Sequence, residues 1–146
     1  MATLFDEGIP NTADPVDRIS CRPNVQVPCY PAITLLRQKE KEKEKDDWIS
    51  WVTSLFGAEA DEKTLRSFSA ECNVKNNTPP AFLWGTCDDF LYLHWPLYLA
   101  ALTEKNISFE SHIYSNGPHG MGLAIDHATA NSWPERCIAW LRSQCF

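Results

Sequence analysis

An apolar run that stops at a glycine and then at two carboxylates constrains this chain more than any other feature. Residues 81–89 read AFLWGTCDD, and no polar side chain interrupts the stretch from Ala81 to Trp84. A strand with one side facing solvent alternates polar and apolar residues, whereas a strand buried on both faces is apolar throughout. The run therefore predicts an inner strand that delivers Asp88 and Asp89 at its carboxyl end.

Four further segments have the patterns of strands or helices. They are a short strand at 24–30 with Pro28 as its weak point, a helix at 96–105, a strand at 108–114 and a closing amphipathic helix from Pro134. Strands and helices that alternate with short linkers predict parallel strands covered by helices. The expected fold class is therefore α/β.

Length and charge limit both the size and the partners of such a fold. The chain has 146 residues, 44% of them apolar, so one folded core is expected. Its net charge of −6 argues against nucleic acid and against an anionic membrane surface as partners. The longest uncharged apolar stretch, 90–103, is shorter than the roughly 18 residues of a membrane span. The acidic amino terminus lacks the pattern of a secretory signal, which predicts a cytoplasmic location.

The segment 35–70 predicts helical structure of a lid-like kind. Its charge run at 39–45, KEKEKEK, is typical of a solvated face. Behind it, apolar residues recur at helical spacing from Trp48 to Phe56, and a short helix is predicted from Asp61 to Phe68. A stripe of this kind is typical of core or lid packing rather than of a cofactor site.

Titratable side chains follow two of the predicted strands where each strand ends. Asp88 and Asp89 follow the first, and His119 follows the second within the turn SNGPHGMG. Ligands of open α/β sheets bind at the carboxyl ends of strands, where a carboxylate can orient a histidine that then acts as a general base. The glycines of this turn, Gly117, Gly120 and Gly122, give the backbone the freedom to present the ring. These residues alone leave a structural or surface role open.

The pattern of cysteines and histidines does not predict a metal or a cofactor. The six cysteines lie scattered without a C-x-x-C pair, and the four histidines are not spaced with them as zinc ligands are. We therefore expect neither a metal site nor a cofactor, and a metal or redox role is the weakest of the alternatives.

Three sequence stretches together resemble the acid- and histidine-bearing end of the alpha/beta-hydrolase superfamily, specifically its small, acetyl-xylan-esterase-like esterases. They are TPPAFLWGTCDD, KNISFESHIY and GPHGMGLA, and the earlier ADPVDRISCRPN and CYPAIT resemble the segment that follows the nucleophile in those enzymes. The resemblance implies that His119 is the base of a catalytic triad and Asp89 its acid, with Asp88 the less favoured acid. The chain departs from the family after these aspartates, where FLYLHWPLY lacks the usual Val-Pro.

Two motifs of that superfamily are absent from the sequence. No G-x-S-x-G nucleophile elbow and no HGGG-type oxyanion loop occurs in the 146 residues. The expectation is a single partial alpha/beta-hydrolase domain over 1–146, a mostly parallel sheet with flanking helices that lacks the amino-terminal strands and the nucleophile. An ester hydrolase of this kind would be inactive as the isolated chain and would act on a small ester only when complemented by an amino-terminal half.

An interaction role is the alternative interpretation. A sheet without its amino-terminal strands has an unpaired edge and an uncovered apolar face, and both favour association with another chain. The alternative is therefore a non-catalytic remnant or interaction protein that associates through that edge, with self-association as one form.

Overall fold

The computed structural model describes residues 2–36, 50–57 and 60–144. Its regular elements are helix α1 (Glu62–Phe68), strand β1 (Ala81–Thr86), helix α2 (His94–Glu104), strand β2 (Phe109–Tyr114) and helix α3 (Trp133–Ser143). Residues 50–56 are also helical. The charge run at 39–45 and Trp48 lie outside the described residues, so the lid-like assignment of 35–70 stays a prediction, as does the single partial domain over 1–146.

Strand β1 is buried along its whole length, as its composition predicts. Because successive side chains of a strand point to opposite faces, Ala81 and Leu83 pack beneath α2, whereas Phe82 and Trp84 pack beneath α3. Full burial of a side chain such as Phe82 or Leu83 contributes about 1.5–3 kcal/mol. The α/β prediction is confirmed, with helices on both faces of a parallel sheet.

Gly85 completes the face of β1 that packs against α2. A Cβ atom at this position would lie 2.0 Å from Cη2 of Trp95. The indole of Trp95 is itself fully buried, and its Nε1 donates to the carbonyl of Pro31 at 2.9 Å. Glycine is therefore required here because a ring occupies the space of a side chain.

Strand β2 runs parallel to β1 in continuous register from Ala81 opposite Phe109 to Thr86 opposite Tyr114. The segment 24–30 lies on the other side of β1 and makes isolated parallel bridges at Gln26 and Cys29. Gln26, Pro28 and Tyr30 form hydrogen bonds to β1 in the regular parallel pattern. One bond of that pattern is missing, because Pro28 has no N–H to donate. The strand predicted at 24–30 is therefore a strand-like edge interrupted at its proline.

The helix boundaries agree closely with the sequence patterns. Helix α2 begins at His94, two residues before the predicted start at Pro96. Helix α3 has Pro134 in its first turn, as predicted. Helix α1 begins after Asp61, whose carboxylate accepts a hydrogen bond from the Thr64 N–H at 2.7 Å. None of the described helices is long and apolar enough to cross a membrane.

Candidate active site

The candidate site lies where the two parallel strands end. Asp89 follows β1 by three residues and His119 follows β2 by five. Because parallel neighbours end at the same edge of a sheet, the two turns lie side by side. The structure brings the predicted carboxylate and the predicted imidazole into direct contact at this edge.

Asp89 and His119 form a hydrogen-bonded pair. Nδ1 of His119 lies 2.9 Å from Oδ2 of Asp89, and Oδ1 of Asp89 accepts from the Leu91 N–H at 2.8 Å. The carboxylate side chain is 1% exposed, whereas the imidazole is 38% exposed. A carboxylate can only accept, so the bond requires the proton on Nδ1 and leaves the Nε2 lone pair free. Among the described residues, none forms a hydrogen bond with Nε2.

Asp88 makes a different contact. Its Oδ2 accepts from the backbone N–H of Gly117 at 3.2 Å, and its side chain is exposed. Of the two adjacent aspartates, Asp89 is the one that bonds the imidazole.

The glycines around His119 adopt backbone conformations that other residues rarely occupy. The φ angles are +132° at Gly117, +84° at Gly120 and +57° at Gly122. The turn therefore uses the conformational freedom that the sequence predicted. A Cβ atom at Gly117 would also lie 2.8 Å from Cε of Met121, the end of a flexible side chain that would have to shift.

Two aromatic rings border the imidazole, and sequence reasoning missed both. The Tyr30 ring lies edge-on at a centroid distance of 4.9 Å, and the Phe90 ring lies at 5.1 Å. Tyr30 stands at the end of the edge segment 24–30 with a φ of +38°. The sequence feature that could have pointed to Tyr30 is its position at the end of the strand predicted at 24–30. Phe90 directly follows Asp89 and is 63% exposed, so it presents an apolar surface next to His119.

His94 is a second imidazole near the carboxylate, and unlike His119 it is buried; sequence reasoning missed it as well. Burial lowers the pKa of His94 to about 4, and the negative charge of Asp89 partly opposes this shift. Its Nδ1 accepts from the backbone N–H of Ile33 at 3.4 Å. His94 is therefore a neutral imidazole at physiological pH, and it joins the start of α2 to the segment after Tyr30.

Within the described ranges, no group of three or more His, Cys, Asp or Glu side chains could hold a metal ion. No described serine or cysteine forms a hydrogen bond with His119 either. The described part of the site thus consists of a carboxylate, an imidazole and an aromatic border.

The chain is similar to known proteins in sequence and in fold. No protein-family model matches the chain. An endo-1,4-β-xylanase B from Butyrivibrio fibrisolvens is 35% identical over 128 residues, which is 86% of this chain and 19% of that protein. The chain therefore spans about a fifth of that curated relative.

Two solved structures share the fold. An acetyl ester-xyloside bifunctional hydrolase from Caldicellulosiruptor lactoaceticus is 34% identical with a TM-score of 0.85, over 97% of this chain and 50% of that one. A carboxylesterase from Lactobacillus plantarum is 20% identical with a TM-score of 0.62, over 87% of this chain and 46% of that one. This chain spans about half the length of each.

The chain has a partial alpha/beta-hydrolase fold. It resembles the carboxyl-terminal half of small esterases of the acetyl-xylan-esterase type.

Proposed function

We propose that the chain carries the acid and the base of a Ser-His-Asp carboxylic ester hydrolase. The Asp89–His119 bond at the carboxyl ends of adjacent parallel strands is the observation that carries the proposal. In this assignment Asp89 holds the Nδ1–H tautomer, and Nε2 of His119 takes the proton from a serine hydroxyl as that serine attacks the ester carbonyl. His119 then returns the proton to the departing alcohol.

The sequence contains neither the G-x-S-x-G motif that presents the nucleophile nor the HGGG-type motif that supplies oxyanion donors. We therefore propose that the 146 residues alone do not turn over ester, and that activity requires a complementary amino-terminal half. Without the nucleophile the covalent step has no acceptor for the acyl group, and loss of an oxyanion donor removes a further ~3 kcal/mol of transition-state stabilisation.

A short-chain ester of a sugar hydroxyl is the substrate class that we propose. Two relatives are named for xylan or xyloside chemistry, and one of them is named for acetyl esters. The exposed Phe90 ring beside His119 supplies an apolar surface for such a substrate. Neither nucleic acid nor a membrane is part of the proposal, and the cytoplasmic location stays a prediction.

A chimera tests the function directly. The amino-terminal half of the Caldicellulosiruptor hydrolase, fused ahead of residues 1–146, supplies the missing strands, and hydrolysis of p-nitrophenyl acetate is followed for the chimera and for the chain alone. We expect turnover by the chimera, background rates for the chain, and loss of chimera activity on His119→Ala. A folded but inactive chimera would count against the proposal, as would turnover by the chain alone that His119→Ala abolishes.

One observation favours the alternative of an interaction protein. The N–H groups of Val25, Val27 and Cys29 point away from β1, and no described residue accepts from them. Pro28 removes a donor only on the side that faces β1, so the outer edge keeps its donors and carries no charged residue to discourage strand pairing.

Amide hydrogen exchange at two protein concentrations tests this alternative. Self-association through the edge predicts that protection of Val25, Val27 and Cys29 rises with concentration, whereas the β1 amides stay equally protected. Concentration-independent exchange at all three positions would exclude pairing of two copies through this edge.

A further inference from the structure

We propose that Thr86 and Asp88 act as positioning residues that clamp the peptide groups of Gly117 and thereby aim the His119 ring at Asp89. The hydroxyl of Thr86 donates to the Gly117 carbonyl at 2.6 Å. The carboxylate of Asp88 accepts from the Gly117 N–H at 3.2 Å. Gly117 is thus held on its acceptor side by the last residue of β1 and on its donor side by the turn that also carries Asp89.

The sterics of Gly117 explain why holding this residue fixes the turn. Gly117 has a φ of +132°, a region that glycine occupies more readily than other residues, and the two hydrogen bonds favour this conformation among the many open to glycine. The Thr86 methyl group lies where a side chain of this residue would project, since a Cβ atom built at Gly117 would be 3.1 Å from Cγ2 of Thr86. The clamp therefore replaces the backbone stiffness that glycine lacks.

The link from the clamp to the imidazole is short and stiff. Pro118 alone separates Gly117 from His119, and its ring fixes φ near −65°. Beyond that residue, the hydrogen bond to Asp89 is the one that the His119 ring makes within the described part of the chain. A change in the orientation of Gly117 is therefore transmitted to the ring through few free torsions.

The two adjacent aspartates consequently have separate tasks. Asp89 is buried and bonds the His119 ring itself. Asp88 is exposed and bonds the backbone N–H of Gly117, two residues before His119. The role of Asp88 depends on its acceptor oxygen and not on its charge. The significance of the clamp for catalysis rests on the proposed function, but the ring geometry can be measured without turnover.

Matched variants of the 146-residue chain test the clamp by nitrogen-15 NMR of labelled histidine. Asp88→Asn keeps an acceptor and Asp88→Ala removes it, whereas Thr86→Ser keeps a donor and Thr86→Val removes it at similar volume. The readout is the Nδ1–H tautomer of His119 and the slow solvent exchange of that proton, with His119→Gln for assignment. We expect the equilibrium constant between the bonded and the unbonded ring to fall about fivefold in the Ala and Val variants, as for one lost hydrogen bond, and to stay near wild type in the Asn and Ser variants.

The proposal is overturned if Asp88→Ala and Thr86→Val both retain the wild-type tautomer and exchange rate. It is also overturned if Asp88→Asn loses the tautomer as completely as Asp89→Asn does, since charge and not geometry would then be decisive. If Asp88→Ala loses the ring-current-shifted signals of the core and so fails to fold, the Thr86 pair decides. An inactive chimera would contradict the proposed function and leave this NMR result unchanged.

Discussion

Gly85→Ala places a methyl group in the space of a buried indole. The new Cβ would lie 2.0, 2.5 and 2.6 Å from three carbons of the Trp95 ring, and both residues are fully buried in the core. Overpacking of this kind costs about 1–3 kcal/mol. Displacement of the ring also breaks its 2.9 Å bond to the Pro31 carbonyl, and the buried Nε1–H of Trp95 left unpaired costs about 1–3 kcal/mol more. The two costs together predict a loss of about 2–6 kcal/mol.

Urea unfolding followed by circular dichroism measures this loss as a lower midpoint at constant slope. Gly57→Ala is the matched control, because Gly57 has a φ of +82° but no atom of the described residues lies within 4 Å of the added Cβ, so the backbone cost of about 1–2 kcal/mol is the one expected. Trp95→Leu in the Gly85→Ala background should restore part of the stability that the methyl group removes. A loss below about 1 kcal/mol for Gly85→Ala would refute the reasoning, because the ring would then move aside freely.

Three further predictions concern single side chains. Because the unfolded chain protonates His94 near pH 6.5 and the folded chain only near pH 4, stability should fall as the pH drops through this window, by up to about 3 kcal/mol. Unfolding measured against pH should show a flatter profile for His94→Asn, and equal profiles would contradict the assignment. Tyr98→Phe removes the 2.8 Å bond to Gln26 Oε1 and should cost about 1 kcal/mol in the same urea assay, whereas a neutral effect would mean that water replaces the hydroxyl. In the chimera, Asp89→Asn should lower kcat for p-nitrophenyl acetate about 10⁴-fold and Asp88→Asn only a few-fold, and the reverse order would identify Asp88 as the acid.

Much of the fold follows from local sequence patterns. The unbroken apolar run of β1 predicts burial on both faces, and the helical stripe after Pro134 predicts α3. Because parallel strands end at one edge, the same patterns also predict that the turn after β1 meets the turn that carries His119. These features are encoded within about ten residues of chain each.

The border of the site could not be predicted in the same way. Tyr30 reaches His119 only because the segment 24–30 pairs with β1, and that pairing joins parts of the chain that are far apart in sequence. The shift of the His94 pKa depends on burial that tertiary packing creates. The bonds of Thr86 and Asp88 to Gly117 likewise depend on the tertiary packing of the end of β1 and its following turn against the turn after β2. A single sequence does not specify that packing.

The interrupted pairing of 24–30 with β1 has a consequence for the order of folding. β1, α2 and β2 form one continuous unit, whereas the partners Gln26 and Ala81 are about twice as far apart along the chain as Ala81 and Phe109. Longer loops close at a higher entropic cost, and Pro28 leaves the distant pairing one bond short. The segment 24–30 should therefore dock after the β1–α2–β2 unit has formed and be the first to detach in local unfolding. Since Tyr30 is its last residue, the aromatic contact with His119 is made and lost with that docking step, while the Asp89–His119 pair belongs to the part of the molecule that folds first.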